Sequence, residues 1–402
     1  MAVVAALVVA EAAVLLLRPR EGVIAPAPVQ LSSYFSAAEI DRARDFRRPQ
    51  LALYGGTLLV ECALLGALVA RPPRRLRGPM RRPVLAAAVA GAGLALALEA
   101  APLPLRAVAH ERAVDVGLST QDWAEWAGDL AKSWAIGGVV TGAGAAAAVV
   151  LMRRFPRGWW LPGSAVLVAF GAATVYAGPV VVDPLFNDFE PLPPGRVRTD
   201  VLQLAGEAGV DVGEVYSVDA SRRTTGANAY VAGLGHTKRV VLYDNLLDGF
   251  TRDEIRLVVA HELGHVHYRD VPRGLLFLAL VAPVGLFAVA QATRRLAPAE
   301  ERTGPAVLPA LALSVGVLAF AVTAISNQLS RRVEARADNF SLQLTDDPAT
   351  LSAFQQRIAR ANVSDPDPPA WASFLLGTHP TTVQRIGAAV AFERRRPDRI
   401  RR

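Results

Sequence analysis

Long apolar blocks almost free of charge constrain this 402-residue chain more than any other feature. They are Ala2–Leu17, Leu51–Ala70, Pro83–Pro102, Ala135–Met152, Trp160–Val182, Gly274–Thr293 and Ala306–Ile325. Each holds roughly 16 to 23 residues, the length a helix needs to cross about 30 Å of hydrocarbon. Main-chain groups inside a bilayer must be hydrogen-bonded internally, so blocks of this kind are helices. Seven of them argue against a large soluble protein and predict a mainly α, polytopic membrane bundle of about seven spans. Abundant Gly and Ala in several blocks suit close helix packing.

The first block lacks a basic leader and runs straight into Arg18-Pro19-Arg20, so it reads as a retained span rather than a signal peptide. Cys62 is the only cysteine, which removes any intramolecular disulfide. The net charge of +7 comes with arginines crowded between spans, at Arg71–Arg82 and Arg153–Arg157. The positive-inside rule produces such clusters. No basic helix carries interleaved aromatics, so the expected surroundings are the lipid bilayer and not nucleic acid.

The spans divide the chain into a five-span membrane region (1–182), a first polar part (183–273), a two-span hairpin (274–325) and a second polar part (326–402). In the first polar part, Thr199–Ala208 reads as a helix and Glu214–Asp219 alternates as a strand. Ala229–Ala232 and Arg239–Tyr243 read as two more strands around the turn-rich GlyLeuGlyHisThrLys. Thr251 and Glu254 form a capping box that opens the next helix. The second polar part starts with a helix continuing out of the last span, about Ile325–Leu344.

The helix opened by Thr251 carries His-Glu-Leu-Gly-His, His261 to His265. Histidines four apart share one helix face and can hold one zinc ion between them. Glu262 is rotated about 100° from His261, which suits contact with a water on the metal rather than with the metal. It can take the water's proton and later pass it to a leaving amine. A surface helix with incidental histidines is the plain alternative. His267 faces elsewhere and does not read as a ligand. A hydrolytic zinc needs three protein ligands and an open position. The best candidate for the third is Glu334, with Asp338 one turn later placed to orient a ligand imidazole. The pattern SRRVEARAD is equally compatible with a solvated Arg/Glu helix.

HELGH followed two spans later by SRRVEARAD resembles the membrane zinc proteases that include the type 1 CAAX prenyl protease and the bacterial heat-induced membrane protease. DPLFNDFEPLPPG (Asp183–Gly195), TTGANAYVAGLGHTKRVVLYDNLL (Thr224–Leu247) and LLGTHPTTVQRI (Leu375–Ile386) resemble further stretches of the prenyl proteases. YFSAAEIDRARDFRR (Tyr34–Arg48) is similar to the loop after their first span. The resemblance implies a zincin-like (gluzincin) α+β catalytic domain and one zinc ion per chain, bound by His261, His265 and Glu334. It implies Glu262 as general base and acid, Asp338 as support behind a ligand, and Asn228 beside a substrate-binding edge strand. His379 falls on the family's His-Pro histidine, a candidate for steadying the oxyanion; a helix-capping role before Pro380 is the alternative. Asp270 and Arg385 are expected to support the site.

The reading that follows is a zinc endopeptidase acting on membrane-associated proteins or peptides. An inactive scaffold or a transporter-like protein with a structural metal site would have no need of Glu262. Ala, Arg and Gly usage points to a GC-rich bacterial genome, hence a bacterial plasma membrane and substrates other than prenylated ones. The arginine counts leave the side of the zinc site open. Glu11, Glu61 and Glu99 lie within or beside spans, lining a wet chamber or pairing with arginines.

Overall fold

The computed structural model describes residues 1–78, 80–233 and 238–400. The N-terminal region is helical: α1 (Ala2–Leu17), α2 (Ala37–Ala70), α3 (Pro83–Ala100), α4 (Leu103–Asp115), α5 (Trp123–Arg154) and α6 (Trp160–Val181). Of these, α2, α3, α5 and α6 are long and apolar enough to cross a membrane, and two later helices bring the number to six among the described residues. The remaining apolar block, α1, is the shortest of them. Its 16 residues make about 24 Å of helix, short of the roughly 30 Å of hydrocarbon. The helix stops because Arg18 is extended (φ −61°, ψ 139°), as a residue before proline prefers. α1 nevertheless packs on the last two apolar helices through Ala6, Ala10, Ala13 and Val14, all at most 4% exposed.

Small residues set the closest helix contact, α3 on α5. A Cβ on Gly91 would collide with the Ala145 Cβ, and one on Gly142 would stand 2.9 Å from the Ala88 carbonyl. Arg106 on α4 pairs with both Glu61, at 3.3 Å, and Glu99, and Gln328 donates to Glu11 at 3.3 Å. All three acidic residues are therefore partnered. The segment Tyr34–Arg48, expected as a loop, is instead the start of α2, opened by a Ser36–Glu39 capping box. The arginine-rich loops meet at one end of the bundle: Arg77 pairs with Glu301 at 3.3 Å, and Arg294 donates to the Pro156 and Arg157 carbonyls.

The polar region folds at the other end. It contains β1 (Phe189–Pro191), α7 (Arg196–Glu207), β2 (Glu214–Val218), β3 (Ala229–Ala232), β4 (Arg239–Tyr243), α8 (Asp244–Gly249) and α9 (Arg252–His267). The sheet order is β1-β2-β4-β3, with β2 and β4 parallel and both outer pairs antiparallel. β3 is thus an edge strand. The middle of the expected hairpin loop, 234–237, lies outside the described residues. α9 begins at the Thr251–Glu254 capping box and seats Leu257, Val259 and Leu263 in a core shared with Leu204, Leu242, Leu342 and Leu351. Asp200 on α7 holds the start of α9 through Arg252 and, at 3.4 Å, Arg256.

Two residues, Tyr268 and the left-handed Arg269 (φ 56°), separate α9 from α10 (Asp270–Leu296). The chain returns through α11 (Leu308–Thr345) and continues as α12 (Pro348–Ala361), α13 (Ala370–Leu376) and α14 (Thr382–Ile400). α11 is one unbroken helix of 38 residues, about 57 Å long. It is long enough to cross the bilayer and still carry Glu334 and Asp338 back to α9.

Candidate active site

The α9–α11 contact builds the site. Gly264 lets the helices approach, since a Cβ there would stand 3.1 Å from Phe340 Cδ1 on α11. His261 and His265 face α11, with their Nε2 atoms 3.2 Å apart. Glu334 lies between them, Oε2 3.2 Å from His261 Nε2 and Oε1 3.5 Å from His265 Nε2. Behind the rings, Asp338 Oδ1 is 2.9 Å from His261 Nδ1 and Asp270 Oδ2 is 3.1 Å from His265 Nδ1.

This arrangement fits a cation. A carboxylate only accepts hydrogen bonds, so Asp338 and Asp270 keep the ring protons on Nδ1 and leave lone pairs on both Nε2 atoms. Lone pairs of two imidazoles and one carboxylate then converge without a proton between them. Among the described residues, Glu334 Oε2 is buried without a hydrogen-bond partner. A tetrahedral site with bonds of about 2.0–2.1 Å requires ligand atoms about 3.3 Å apart, close to the 3.2 to 3.5 Å found. Among the described residues, His261, His265 and Glu334 are the group of metal-type donors that converges this way.

Glu262 faces the adjoining cavity of about 510 Å³, which Asn228, His379 and Arg385 also line. Burial pushes the Glu262 carboxyl above the ordinary range, while the neighbouring His261 and His265 pull it down. His379 is exposed to the cavity with Nε2 3.2 Å from Glu334 Oε2, and its Nδ1 meets the Thr378 hydroxyl at 2.8 Å. Asn228 directly precedes edge strand β3, its carbonyl accepting from Tyr243 N at 3.1 Å. The geometry therefore brings all seven expected site residues to one place. His267 points away, donating from Nδ1 to the Ala208 carbonyl at 3.0 Å.

Arg385 grips Asp338 with a fork, Nε to Oδ2 at 2.8 Å and Nη2 to Oδ1 at 2.5 Å. Three supports were not foreseen. Arg336 pairs with Asp270 and lies 4.0 Å over the Tyr268 ring. Arg331 donates to the Ser373 and Gly377 carbonyls, and Asn327 donates to the Leu375 carbonyl, so α11 holds the segment leading to His379. Asn327, Arg331, Glu334 and Asp338 follow i, i+4, i+7, i+11 spacing, a one-face polar stripe that was visible in the sequence. The third is Arg47 of α2, bound to the carbonyls of Asn362 and Val363 at the cavity wall.

Residues 191–393 match peptidase family M48, and residues 114–188 match the CAAX prenyl protease N-terminal family of five membrane helices. An uncharacterised metalloprotease of Bacillus subtilis, YhfN, is 35% identical over 292 residues, covering 71% of this chain and 68% of that protein. The probable CAAX prenyl protease 1 of Schizosaccharomyces pombe is 30% identical over 227 residues, covering 54% of this chain and 47% of its own. The chain thus spans about half the length of the prenyl protease relatives of fission yeast and rice, 47% and 51%. The crystal structure of S. mikatae Ste24p superposes with a TM-score of 0.73 over 96% of this chain and 97% of that one, at 19% identity, which establishes the shared fold. With the sequence relatives and the family match over its C-terminal half, the chain belongs to peptidase family M48 as an integral membrane metalloprotease of the CAAX prenyl protease type.

Proposed function

We propose that this chain is a zinc-dependent endopeptidase, with one zinc ion held by His261, His265 and Glu334, that cleaves membrane-associated proteins or peptides in a bacterial plasma membrane. The observation that carries the reading is the convergence of two imidazole lone pairs and a buried carboxylate at 3.2 to 3.5 Å, beside Glu262 in a cavity. Zinc bound there supplies a Lewis acid that polarises the scissile carbonyl and makes water at the site more acidic.

The remaining steps belong to the side chains. Glu262 takes a proton from the attacking water as the C–O bond forms, and delivers it to the leaving nitrogen as the C–N bond breaks. Asp338 and Asp270 hold His261 and His265 in the tautomer that presents Nε2. His379 is placed to donate to the oxyanion that develops on the scissile carbonyl. The β3 edge, entered at Asn228, offers main-chain groups to an extended peptide. Because α11 brings Glu334 back from the membrane, the site stands at the bundle's end, where substrates are membrane proteins or their released segments.

The test compares Glu262→Gln and Glu334→Ala in detergent. Glu262→Gln should keep its zinc and lose hydrolysis of a quenched-fluorescence peptide by at least about a hundredfold. Glu334→Ala should lose zinc. Peptide hydrolysis that survives Glu262→Gln would refute the mechanism, and unaltered zinc in Glu334→Ala would remove Glu334 from the ligand set. A scaffold or transporter with a structural metal would show no Glu262-dependent cleavage at all.

A further inference from the structure

The wall of the catalytic cavity contains a turn with features that the peptidase chemistry leaves unexplained. α12 ends in a Schellman-type turn: Ser364 N donates to the Ala359 carbonyl at 2.9 Å and Val363 N to the Arg360 carbonyl at 3.2 Å. The left-handed position of such a turn normally holds Gly or Asn. Here it holds Val363, at φ 44°, a conformation that a β-branched residue adopts only under tertiary constraint. The constraint comes from a membrane helix. Arg47 of α2 donates from Nε to the Val363 carbonyl at 2.8 Å, and from Nη2 to the Asn362 carbonyl at 2.6 Å and the Ser364 hydroxyl at 3.3 Å. Arg47 makes no salt bridge among the described residues, so its guanidinium is committed to this turn.

The clamp holds Asn362 in the cavity wall, alongside Asn228, Glu262 and His379. Its carboxamide oxygen is idle: among the described residues, Oδ1 is buried without a hydrogen-bond partner. An amide removed from water without a partner is destabilising. Gly226 leaves it room, since a Cβ there would stand 3.1 Å from Oδ1. Gly226 lies two residues before Asn228, so the idle oxygen stands against the segment that leads into edge strand β3. A peptide lying extended along that edge presents main-chain N–H and C=O groups at regular intervals.

Resting on the peptidase reading above, we propose that Asn362 binds substrate by hydrogen-bonding a main-chain amide of the extended peptide away from the scissile bond, and that Arg47 positions it by clamping the turn after α12. The membrane bundle thereby sets the geometry of the peptide-binding wall as well as delivering Glu334.

The probe is the best-cleaved member of a quenched-fluorescence library of short peptides, and versions of it in which each amide in turn becomes an ester. An ester lacks the N–H and has a weaker carbonyl acceptor. Asn362→Ala should raise KM about three- to tenfold, the worth of one neutral hydrogen bond, with kcat within about twofold, as expected for a contact made equally before and during reaction. In the unaltered protein one non-scissile ester should cost a similar factor, and in Asn362→Ala that same ester should cost nothing further. Arg47→Gln should raise KM in the same direction, less than additively with Asn362→Ala. The same ester comparison by fluorescence anisotropy on the Glu262→Gln protein reads the contact without turnover. An unchanged KM in Asn362→Ala, or ester penalties undiminished in that variant at every position, overturns the proposal. Absence of Glu262-dependent cleavage while the anisotropy pattern holds overturns the peptidase reading and leaves the contact standing.

Discussion

Gly264 is where a single atom should move the site. A Cβ at this position would stand 3.1 Å from Phe340 Cδ1 and 3.3 Å from both Cβ and Cγ. Carbon atoms rest about 3.5–4.0 Å apart, so each contact is short by a few tenths of an ångström. Phe340 has little freedom to withdraw, with its ring 4.8 Å from the His267 ring and 5.7 Å from that of Tyr268. α9 and α11 must therefore separate slightly, and with them His265 and Glu334. For Gly264→Ala, better helix propensity is worth about 1 kcal/mol and offsets an overpacking cost of about 1–3 kcal/mol, so stability should change by no more than about 2 kcal/mol. Gly264→Val adds two more carbons at the same wall and should lie at the upper end of that overpacking range or beyond. Catalysis should be more sensitive, because a displacement of about 1 Å can cost about a hundredfold. The assays are zinc content after a chelator challenge, kcat/KM on a fluorogenic peptide, and melting in detergent. Gly264→Val should lose zinc faster and cleave at least about tenfold more slowly. Wild-type zinc retention and rate in Gly264→Val would refute the claim that this close approach sets the spacing of the ligands.

Arg385→Gln leaves Asp338, 2% exposed, without its forked partner. Breaking a buried pair from one side costs about 3–5 kcal/mol, and Asp338→Asn combined with Arg385→Gln should melt higher than Arg385→Gln alone. Asp200 has its pKa lowered, chiefly by the hydrogen bond from Arg252, against an opposing effect of burial. A depressed folded pKa stabilises above the unfolded value of about 3.9 and is lost as pH falls through the folded value. The melting difference between the unaltered protein and Asp200→Asn should therefore be constant near neutrality and shrink only below about pH 4; a difference that grows toward acid would contradict the sign. Because arginines lie on both sides of the bundle, a reporter fused at the C-terminus decides the side of the site: activity of one that works only outside the cytoplasm would place the site outside. Activity of a cytoplasm-only reporter there would place the site inside.

The elements read most directly were those with a local cause. The capping box at Thr251 and Glu254 specified where α9 begins, and β3 and β4 have the bounds of the two apolar runs on either side of the turn-rich loop. Asn327, Arg331, Glu334 and Asp338 were legible as a helical stripe, although only the last two were singled out. A boundary error arose where a helix ran on beyond its apolar block. α2 starts as a polar helix many residues before Leu51, because Ser36 caps it, whereas the run of α11 past its span to Thr345 follows the expected continuation to about Leu344. The Arg47 clamp was illegible, since nothing in the sequence near Arg47 indicates a turn more than three hundred residues away.

The chemistry of this protein was written locally, in two histidines one turn apart, a glutamate between them and long apolar runs that could only be helices. Period and length are properties of neighbouring residues, and they survive without a fold. The tertiary structure decided which carboxylates those histidines face, that Gly264 sets the distance, and that a membrane helix braces the cavity wall. Those depend on which surfaces meet when α9, α11 and α2 pack, and that choice is made by burial across the whole chain.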